Sequence, residues 1–272
     1  MRLFLLCLFI FQFAAGDHAV ADEGVEVFVS ILPQKYLVQR IGGERVKINV
    51  MLKPGHSPET YDPSPAQITR LTHARIYFLM GVPFEIKWRE KFRLQNEAMR
   101  MVDTRRQCNL ITNDAHVWTS PVNGKLIAAE IKDALVAEDP EAAPFYAANF
   151  QRLAAELDSL DAEILERLRD RRTDYFIVSH DAWAYYAARY GLQQLPMESR
   201  GREKGPRGIA DLADLARREH LDIVFVQQQH PTGPAYTLAT ELGARVVLID
   251  PLAGDYIDNL RRVTASIAKA IH

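Results

Sequence analysis

The sequence predicts an α/β protein in which two parallel-sheet lobes are joined by one long backbone helix. Strand-like and helical segments alternate over residues 25–80, and the same alternation returns over 175–249. Between these halves, an uninterrupted helical pattern covers 140–172. Strands that alternate with helices are typical of a parallel sheet, so each half predicts a lobe of its own.

The first half begins with a strand over residues 25–30, where apolar side chains alternate and β-branched residues are frequent. A helix over 33–41 follows. It ends at Gly42 and Gly43, because glycine disfavours the helix and permits the backbone to turn. The remaining predicted elements are a strand over 46–52, a helix over 65–74 and a short buried strand over 76–80.

The second half repeats this order of elements. An apolar strand over residues 175–179 precedes a helix over 183–190, which Gly191 ends. The remaining predicted elements are helices over 209–219, 234–242 and 256–271 and strands over 223–226 and 245–249.

The segment between the halves has apolar residues in steps of three and four over 140–172, which is the spacing of one helix face. About 30 residues give a helix of roughly 45 Å, longer than one small domain. The stripe could form a coiled-coil dimer seam, but it covers only about four heptads. We therefore favour an N-terminal lobe over 22–139, a linking helix over 140–172 and a C-terminal lobe over 173–272. Ligands of open α/β sheets bind beyond the carboxyl ends of strands, which predicts a site in the interlobe cleft.

Residues 1–21 have the pattern of a cleavable secretory signal peptide. Arg2 supplies a positive charge, and the uncharged, largely apolar run over 3–15 is shorter than the about 20 residues that a membrane-spanning helix needs. Ala19 and Ala21 fit the small-residue pattern of a cleavage site, so we expect cleavage after Ala21 and export to the periplasm. An uncleaved N-terminal anchor is the alternative.

Composition limits the classes of function. The formal net charge is −2 and the chain has no basic block, which argues against nucleic-acid binding. Cleavage of the predicted signal peptide would remove Cys7 and leave Cys108, so the mature chain could form no intramolecular disulfide. No feature marks Cys108 as an activated nucleophile, and we interpret it as a packing residue. We expect a monomer.

Histidines and a carboxylate lie where the predicted sheets end. His116 follows Asp114 by two residues and precedes Trp118, a pattern that suits a metal ligand held by a carboxylate. His180 and Asp250 each follow a predicted strand of the second half. Because the strands come from distant segments but end at the same predicted edge, these side chains form a candidate cluster.

A proline-rich loop over 54–65 carries His56 and Glu59. Its four prolines in twelve residues restrict the backbone and hold the side chains in fixed directions. Imidazole nitrogens with one carboxylate are a typical ligand set for zinc, and also for manganese or iron. His230 could also approach the cleft. The histidines expected at the surface are His73, His220 and His272.

Spaced motifs follow one another in order along nearly the whole mature chain. They are Pro-Gly-x-Ser-Pro-x-x-Tyr-x-Pro-Ser-Pro over 54–65, Met-Gly-Val-Pro-Phe-Glu over 80–85, His-Val-Trp over 116–118, Ser-His-Asp-Ala over 179–182 and Asp-Pro-Leu over 250–252. In this order they resemble the zinc and manganese solute-binding proteins of ABC importers, the ZnuA-like and TroA-like proteins. The resemblance implies two α/β lobes, a spanning helix and a metal between the lobes. It also implies metal ligands at His116, His180 and Asp250.

The first-loop ligand departs from the family pattern. The family usually has Pro-His there, and this chain has Pro58 and Glu59, with His56 three residues before Glu59. Either Glu59 binds the metal or His56 reaches in. We favour His56, because a third imidazole suits zinc better, whereas a His/His/Glu/Asp set would shift the preference toward manganese. A second departure is the basic stretch over 202–207, which we interpret as a solvated loop.

The resemblance implies an extracytoplasmic solute-binding protein, not an enzyme, that captures Zn²⁺ and delivers it to an ABC permease and its ATPase at the inner membrane. Mn²⁺ or iron are alternative cargoes. Four protein ligands would leave no open position on the metal, so the ion would be held and not used in catalysis. A zinc hydrolase is an alternative from another class, but the chain has neither a His-Glu-x-x-His motif nor a nucleophile elbow. An adhesin or a metal chaperone also stays open.

Overall fold

The computed structural model describes residues 24–199, 202–230 and 232–272, so the predicted signal peptide over 1–21 lies outside the described residues. In the described part of the chain the strands form two sheets, and a long helix lies between them in the chain. The predicted α/β class is therefore confirmed. Nowhere in these ranges is a helix both long enough and apolar enough to cross a membrane.

The first lobe consists of β1 (Val25–Val29), α1 (Leu32–Gly42), β2 (Val46–Val50), α2 (Pro65–Arg70), β3 (Ile76–Leu79), α3 (Pro83–Gln95), β4 (Arg100–Asp103) and α4 (Pro121–Glu138). Its sheet has the order β2-β1-β3-β4, and each neighbouring pair is parallel. The carboxyl ends of these strands therefore share one edge, where ligand-binding loops of open α/β sheets are found.

The second lobe consists of β5 (Tyr175–His180), α6 (Ala184–Tyr190), β6 (Gln193–Ser199), β7 (Arg202–Glu203), α7 (Pro206–Arg218), β8 (Ile223–Val226), α8 (Gly233–Leu242), β9 (Arg245–Leu248) and α9 (Tyr256–Ile271), with the linking helix α5 (Ala143–Arg167) before it. Its sheet has the order β7-β6-β5-β8-β9, parallel except for β7. Gly191 and Gly243 end α6 and α8 in the left-handed conformation, with φ of 67° and 66°.

The linking helix α5 follows a 3₁₀ turn over Pro140–Ala142 and ends five residues before the predicted boundary at Arg172. It stops because the chain finds other partners: the Arg171 side chain bonds the carbonyl of Leu168, and the Arg172 N–H bonds the carbonyl of Ile271. The apolar stripe of α5 is buried against α1, α4 and α9 of the same chain, which argues against the alternative of a coiled-coil dimer seam.

The two lobes share a continuous apolar core. Trp118, at 1% exposure, donates from Nε1 to the carbonyl of Pro251 at 2.7 Å, and Tyr256 donates from its hydroxyl to the Trp118 carbonyl at 2.5 Å. Gly124 of α4 is required at this contact, since a Cβ there would lie 2.5 Å from the Tyr256 oxygen. These contacts attach the loop that carries His116 to the second lobe.

The basic stretch over 202–207 is exposed but is not a loop throughout. Arg202–Glu203 forms β7, antiparallel to the end of β6, and Pro206 begins α7, so the loop prediction was wrong for these parts. The pairing arises because Lys204 N–H bonds the carbonyl of Met197 and continues the ladder.

Several minor predictions are confirmed. Cys108 is a free and buried thiol, and burial raises its pKa to about 11, so it stays protonated. The histidines predicted at the surface are exposed, namely His73, His220 and His272.

Candidate metal centre

A cavity of about 360 Å³ lies between the lobes, at the carboxyl ends of strands from both sheets. The first lobe contributes Glu59 from the loop after β2 and His116 from the loop after β4. The second lobe contributes His180 and Asp181 at the end of β5 and His230 after β8. The predicted position of the site in the cleft therefore coincides with a cavity that converging imidazoles and carboxylates line.

His116 is held in a single orientation by Asp114. Its Nδ1 lies 2.8 Å from the Asp114 Oδ1, which also accepts the His116 backbone N–H at 2.8 Å. The carboxylate therefore favours the tautomer with the proton on Nδ1 and leaves the lone pair on Nε2 for a metal. The Trp118 ring, 5.3 Å away between centroids, forms an apolar wall beside it.

His180 is the most buried of the candidate ligands, at 2% exposure. Its ring lies 5.3 Å from that of His116 between centroids, and its Nε2 lies 3.7 Å from the Glu59 Oε1. Burial, and then the neighbouring His116, lower the pKa of His180 to about 4. The ring is therefore neutral at pH 7 and has a lone pair to donate, as a metal ligand requires.

Glu59 faces the imidazoles from the first lobe. Its loop is anchored from both sides, because Tyr61 and Gln67 each donate to the carbonyl of Met51 at 2.6 Å and Gln67 completes the capping box of Ser64. Burial, and then the charge of the nearby Glu198, raise the pKa of Glu59. A cation between these carboxylates would relieve that repulsion.

His56 and Asp250 line a second, adjoining cavity of about 190 Å³ and not the larger one. His56 is exposed, and its Nδ1 lies 3.2 Å from the Pro54 carbonyl. The Asp250 Oδ1 accepts from Gln229 Nε2 at 2.9 Å and from the Leu252 N–H at 2.8 Å. Gln229 and Leu252 line both cavities, so the two cavities adjoin at these residues.

Glu198 and His230 are close to His180 but were not predicted as ligands. The His230 ring is stacked on that of His180, with centroids 3.9 Å apart. Burial, and then His180, lower the pKa of His230 to about 4. The only sequence signal for His230 was its position after a predicted strand, and the strand that ends near Glu198 was not predicted.

Three residues that line the cavity each have a buried polar atom without a partner among the described residues. Asp114 Oδ2, His180 Nδ1 and Gln229 Oε1 are buried without a hydrogen-bond partner among the described residues. Buried polar atoms are nearly always paired, so atoms left over around one cavity indicate a place where a ligand binds. Neutral imidazoles and carboxylates are donors that divalent transition metals bind in proteins.

Comparison with known proteins identifies the family of this chain. Residues 27–270 match the family described as "Zinc-uptake complex component A periplasmic", ZnuA. A crystal structure of ZnuA is 34% identical, with a TM-score of 0.88, over 92% of this chain and 100% of that chain. A ZnuA deletion mutant with zinc bound is 36% identical, with a TM-score of 0.87, over 92% and 98%. The iron-binding protein YfeA of Yersinia pestis is 27% identical over 258 residues, which are 86% of this chain and 82% of YfeA.

The family match extends from the first strand of the first lobe into the last helix of the second. It therefore includes both walls of the cleft and the helix between the lobes. The chain belongs to the ZnuA family of periplasmic metal-binding, solute-binding proteins of ABC importers.

Proposed function

We propose that this protein captures a divalent transition metal in the interlobe cleft and delivers it to an ABC permease and its ATPase. Zn²⁺ is the first candidate for this metal. The observation that carries the proposal is the convergence of His116, His180 and Glu59 on one cavity, with the imidazole rings 5.3 Å apart. Export by the predicted signal peptide would bring this cleft to the periplasm, where an importer collects its cargo.

Three of the proposed metal ligands are two imidazoles and one carboxylate. His116 would bind through Nε2, because Asp114 engages Nδ1, and His180 would bind through Nε2, which faces Glu59. We propose Glu59 in preference to His56 as the first-loop ligand. What supports this choice is that Glu59 lines the larger cavity together with His116 and His180, whereas His56 lines only the smaller one.

Asp250 would be the fourth ligand. Its Oδ1 is engaged by Gln229 and Leu252, and its Oδ2 has a 3.5 Å contact with Gln228. Because Asp250 does not line the larger cavity, metal binding through Asp250 would bring its carboxylate toward the cleft and release the hydrogen bond from Gln229. Because α5 packs against helices of both lobes, we expect this local rearrangement and a small change of the cleft, not a wide opening of the lobes.

Mn²⁺ is the second candidate cargo. Glu59 replaces an imidazole that the family pattern has at this position, and carboxylate ligands suit manganese better than thiolates or imidazoles do. The relatives themselves differ: one ZnuA structure is described with zinc bound, and YfeA is described as iron-binding.

Isothermal titration of the metal-free mature chain with Zn²⁺ and Mn²⁺ tests the proposal. We expect one ion per chain and tighter binding of Zn²⁺, because a given site of nitrogen and oxygen ligands generally binds Zn²⁺ more tightly than Mn²⁺. The His116→Ala variant should bind more weakly, and the matched His73→Ala variant, which changes an exposed histidine outside the cleft, should bind as the wild type does. Absence of binding tighter than about micromolar, which corresponds to roughly 8 kcal/mol, would contradict a capture role for both ions.

A further inference from the structure

The side of His180 that faces away from Glu59 carries a further group of donors. His180 ends β5, Glu198 lies opposite it in the register of β6, and His230 follows β8. Because β6, β5 and β8 are neighbours in the sheet, three adjacent strands bring one donor each to the same place. One ligand atom from each side chain lies within 4.8 Å of the other two.

The Glu198 carboxylate faces both rings. Its Oε1 lies 3.5 Å from His180 Nδ1, and its Oε2 lies 3.8 Å from His230 Nδ1. In a tetrahedral zinc site with bonds of about 2.1 Å, neighbouring ligand atoms are about 3.4 Å apart. The three side chains are also withdrawn from solvent, with 2%, 17% and 9% side-chain exposure for His180, Glu198 and His230. Their spacing and burial suit a small divalent cation.

Glu198 does not support His180 in the way that Asp114 supports His116. Asp114 makes a 2.8 Å contact with Nδ1 of its histidine, which lies within the usual range for an N–H···O hydrogen bond. The Glu198 contact is longer, and His180 Nδ1 is buried without a hydrogen-bond partner in the described part of the chain. An unpartnered nitrogen that faces a carboxylate and a second imidazole points to a bound ligand.

We propose that His180, Glu198 and His230 form an inner position for a divalent transition metal, behind the outer position that uses His116 and Glu59. The inner position rests on the proposed function, namely that the cleft takes such a metal. A neutral imidazole has one lone pair, so His180 binds an ion either through Nε2 or through Nδ1. The two positions therefore exclude each other, and an ion moves between them across one ring.

Co²⁺ is the probe that separates the two positions, because its visible spectrum reports the ligands and equilibrium dialysis counts the ions. The wild type should bind one Co²⁺. The His116→Ala variant should still bind one Co²⁺, at the inner position and with a changed spectrum. The His116→Ala/His230→Ala variant should bind Co²⁺ at least about 10-fold more weakly than His116→Ala does. This is because loss of a metal ligand costs more affinity than loss of a residue that only hydrogen-bonds to a ligand.

Two further variants complete the design. The His116→Ala/Glu198→Gln variant should lose binding as the His116→Ala/His230→Ala variant does, and the His116→Ala/His73→Ala variant should match His116→Ala. Circular dichroism of each variant establishes that it is folded.

The outcomes separate the two proposals. If the wild type binds Co²⁺ but His116→Ala binds none, or if loss of His230 has no further effect in that background, the inner position is overturned and the proposed function stands. If the wild type itself binds no Co²⁺, the proposed function and the inner position both fail.

Discussion

The two walls of the cleft hold their donors in different ways. On the first-lobe wall, His116 has a short hydrogen bond to Asp114, and its loop is attached through Trp118 to the second lobe. On the second-lobe wall, His180 and His230 are stacked beside Glu198 at 3.5 to 3.8 Å, without short hydrogen bonds between ring and carboxylate. The first-lobe wall therefore presents one imidazole in a fixed orientation, whereas the second-lobe wall presents a cluster whose donors are incompletely paired.

We propose that the two walls have separate tasks. A ligand fixed before binding loses little conformational freedom when the ion arrives, so the His116 wall favours recognition. A cluster of buried, neutral imidazoles and a carboxylate gains its pairing from the ion, so the second wall should respond most strongly to metal. Substitutions on the two walls test whether the donors are held in these different ways.

The largest effect is expected for His180→Ala. His180 faces Glu59 on one side and Glu198 on the other. Its loss therefore removes the ligand that the outer and inner positions share. We expect Zn²⁺ binding to become too weak to measure by isothermal titration, a loss of more than about 100-fold. Binding in His180→Ala that stays within about 10-fold of the wild type would show that the second wall is not the centre of the site.

Trp118→Ala tests the attachment of the first wall. Trp118 is buried at 1% exposure and bonds the Pro251 carbonyl, so its removal should lower the free energy of unfolding by about 3–5 kcal/mol. Urea unfolding of the metal-free chain measures this. Trp88 is a matched control, because it is only partly buried and its Nε1 bonds the exposed Asp62. Equal losses for Trp118→Ala and Trp88→Ala would contradict a special role of Trp118.

Glu85 holds the backbone next to the first wall of the cleft, and its titration should make the free energy of unfolding depend on pH. It accepts from the N–H groups of Met80 and Gly81, just before Val82, which lines the cavity. Burial raises the pKa of Glu85 from 4.5 to about 7. Because the folded chain holds this proton more tightly than the unfolded chain, protonated Glu85 adds to the free energy of unfolding, and this added stability is complete below about pH 4.5. It is lost as the pH rises to about 7, which lowers the free energy of unfolding by up to about 3 kcal/mol.

Urea unfolding between about pH 5 and about pH 8, in the metal-free chain, measures this slope. The Glu85→Gln variant lacks the titrating group and should flatten the dependence, although its amide will alter the hydrogen bonds to Met80 and Gly81. A slope that persists unchanged in Glu85→Gln would assign the titration to other groups.

The smallest effect, and the most direct comparison of the walls, comes from Asp114→Ala and Glu198→Gln. Asp114 orients His116 through a short hydrogen bond, so its loss should weaken Zn²⁺ binding by about 10- to 100-fold. Glu198 makes a longer contact with His180, so Glu198→Gln should cost less than about 10-fold in Zn²⁺ affinity while the outer position is intact. Equal losses in isothermal titration would mean that both carboxylates support their histidines in the same way.

Much of the fold could be predicted because its elements follow regular local patterns. The predicted strand over 223–226 and helix over 256–271 coincide with β8 and α9. β6 was missed because Pro196 interrupts it, and proline is disfavoured inside a sheet. It is tolerated there because β7 pairs only with Glu198 and Ser199, which leaves the outer edge of β6 open at Pro196.

The residues of the candidate site could be predicted only where they lie in short sequence motifs. His116 and His180 lie in short motifs, and the structure brings them to one cavity. Glu198 meets His180 only through the register of β6 on β5, which no local pattern contains. His56 and Glu59 are three residues apart in a turn-rich loop, and the direction of each side chain depends on packing against Tyr61 and the second lobe.

We propose that the cleft between the lobes holds a metal on donors from both walls. A crystal structure of the Zn²⁺-loaded mature chain, with anomalous difference density recorded at the zinc edge, tests it most directly. We predict one peak in the cleft, about 2.0–2.2 Å from a ring nitrogen of His180 and from either His116 and Glu59 or His230 and Glu198. A peak on His56 away from His180, or no peak between the lobes, would contradict metal binding by donors from both walls of the cleft.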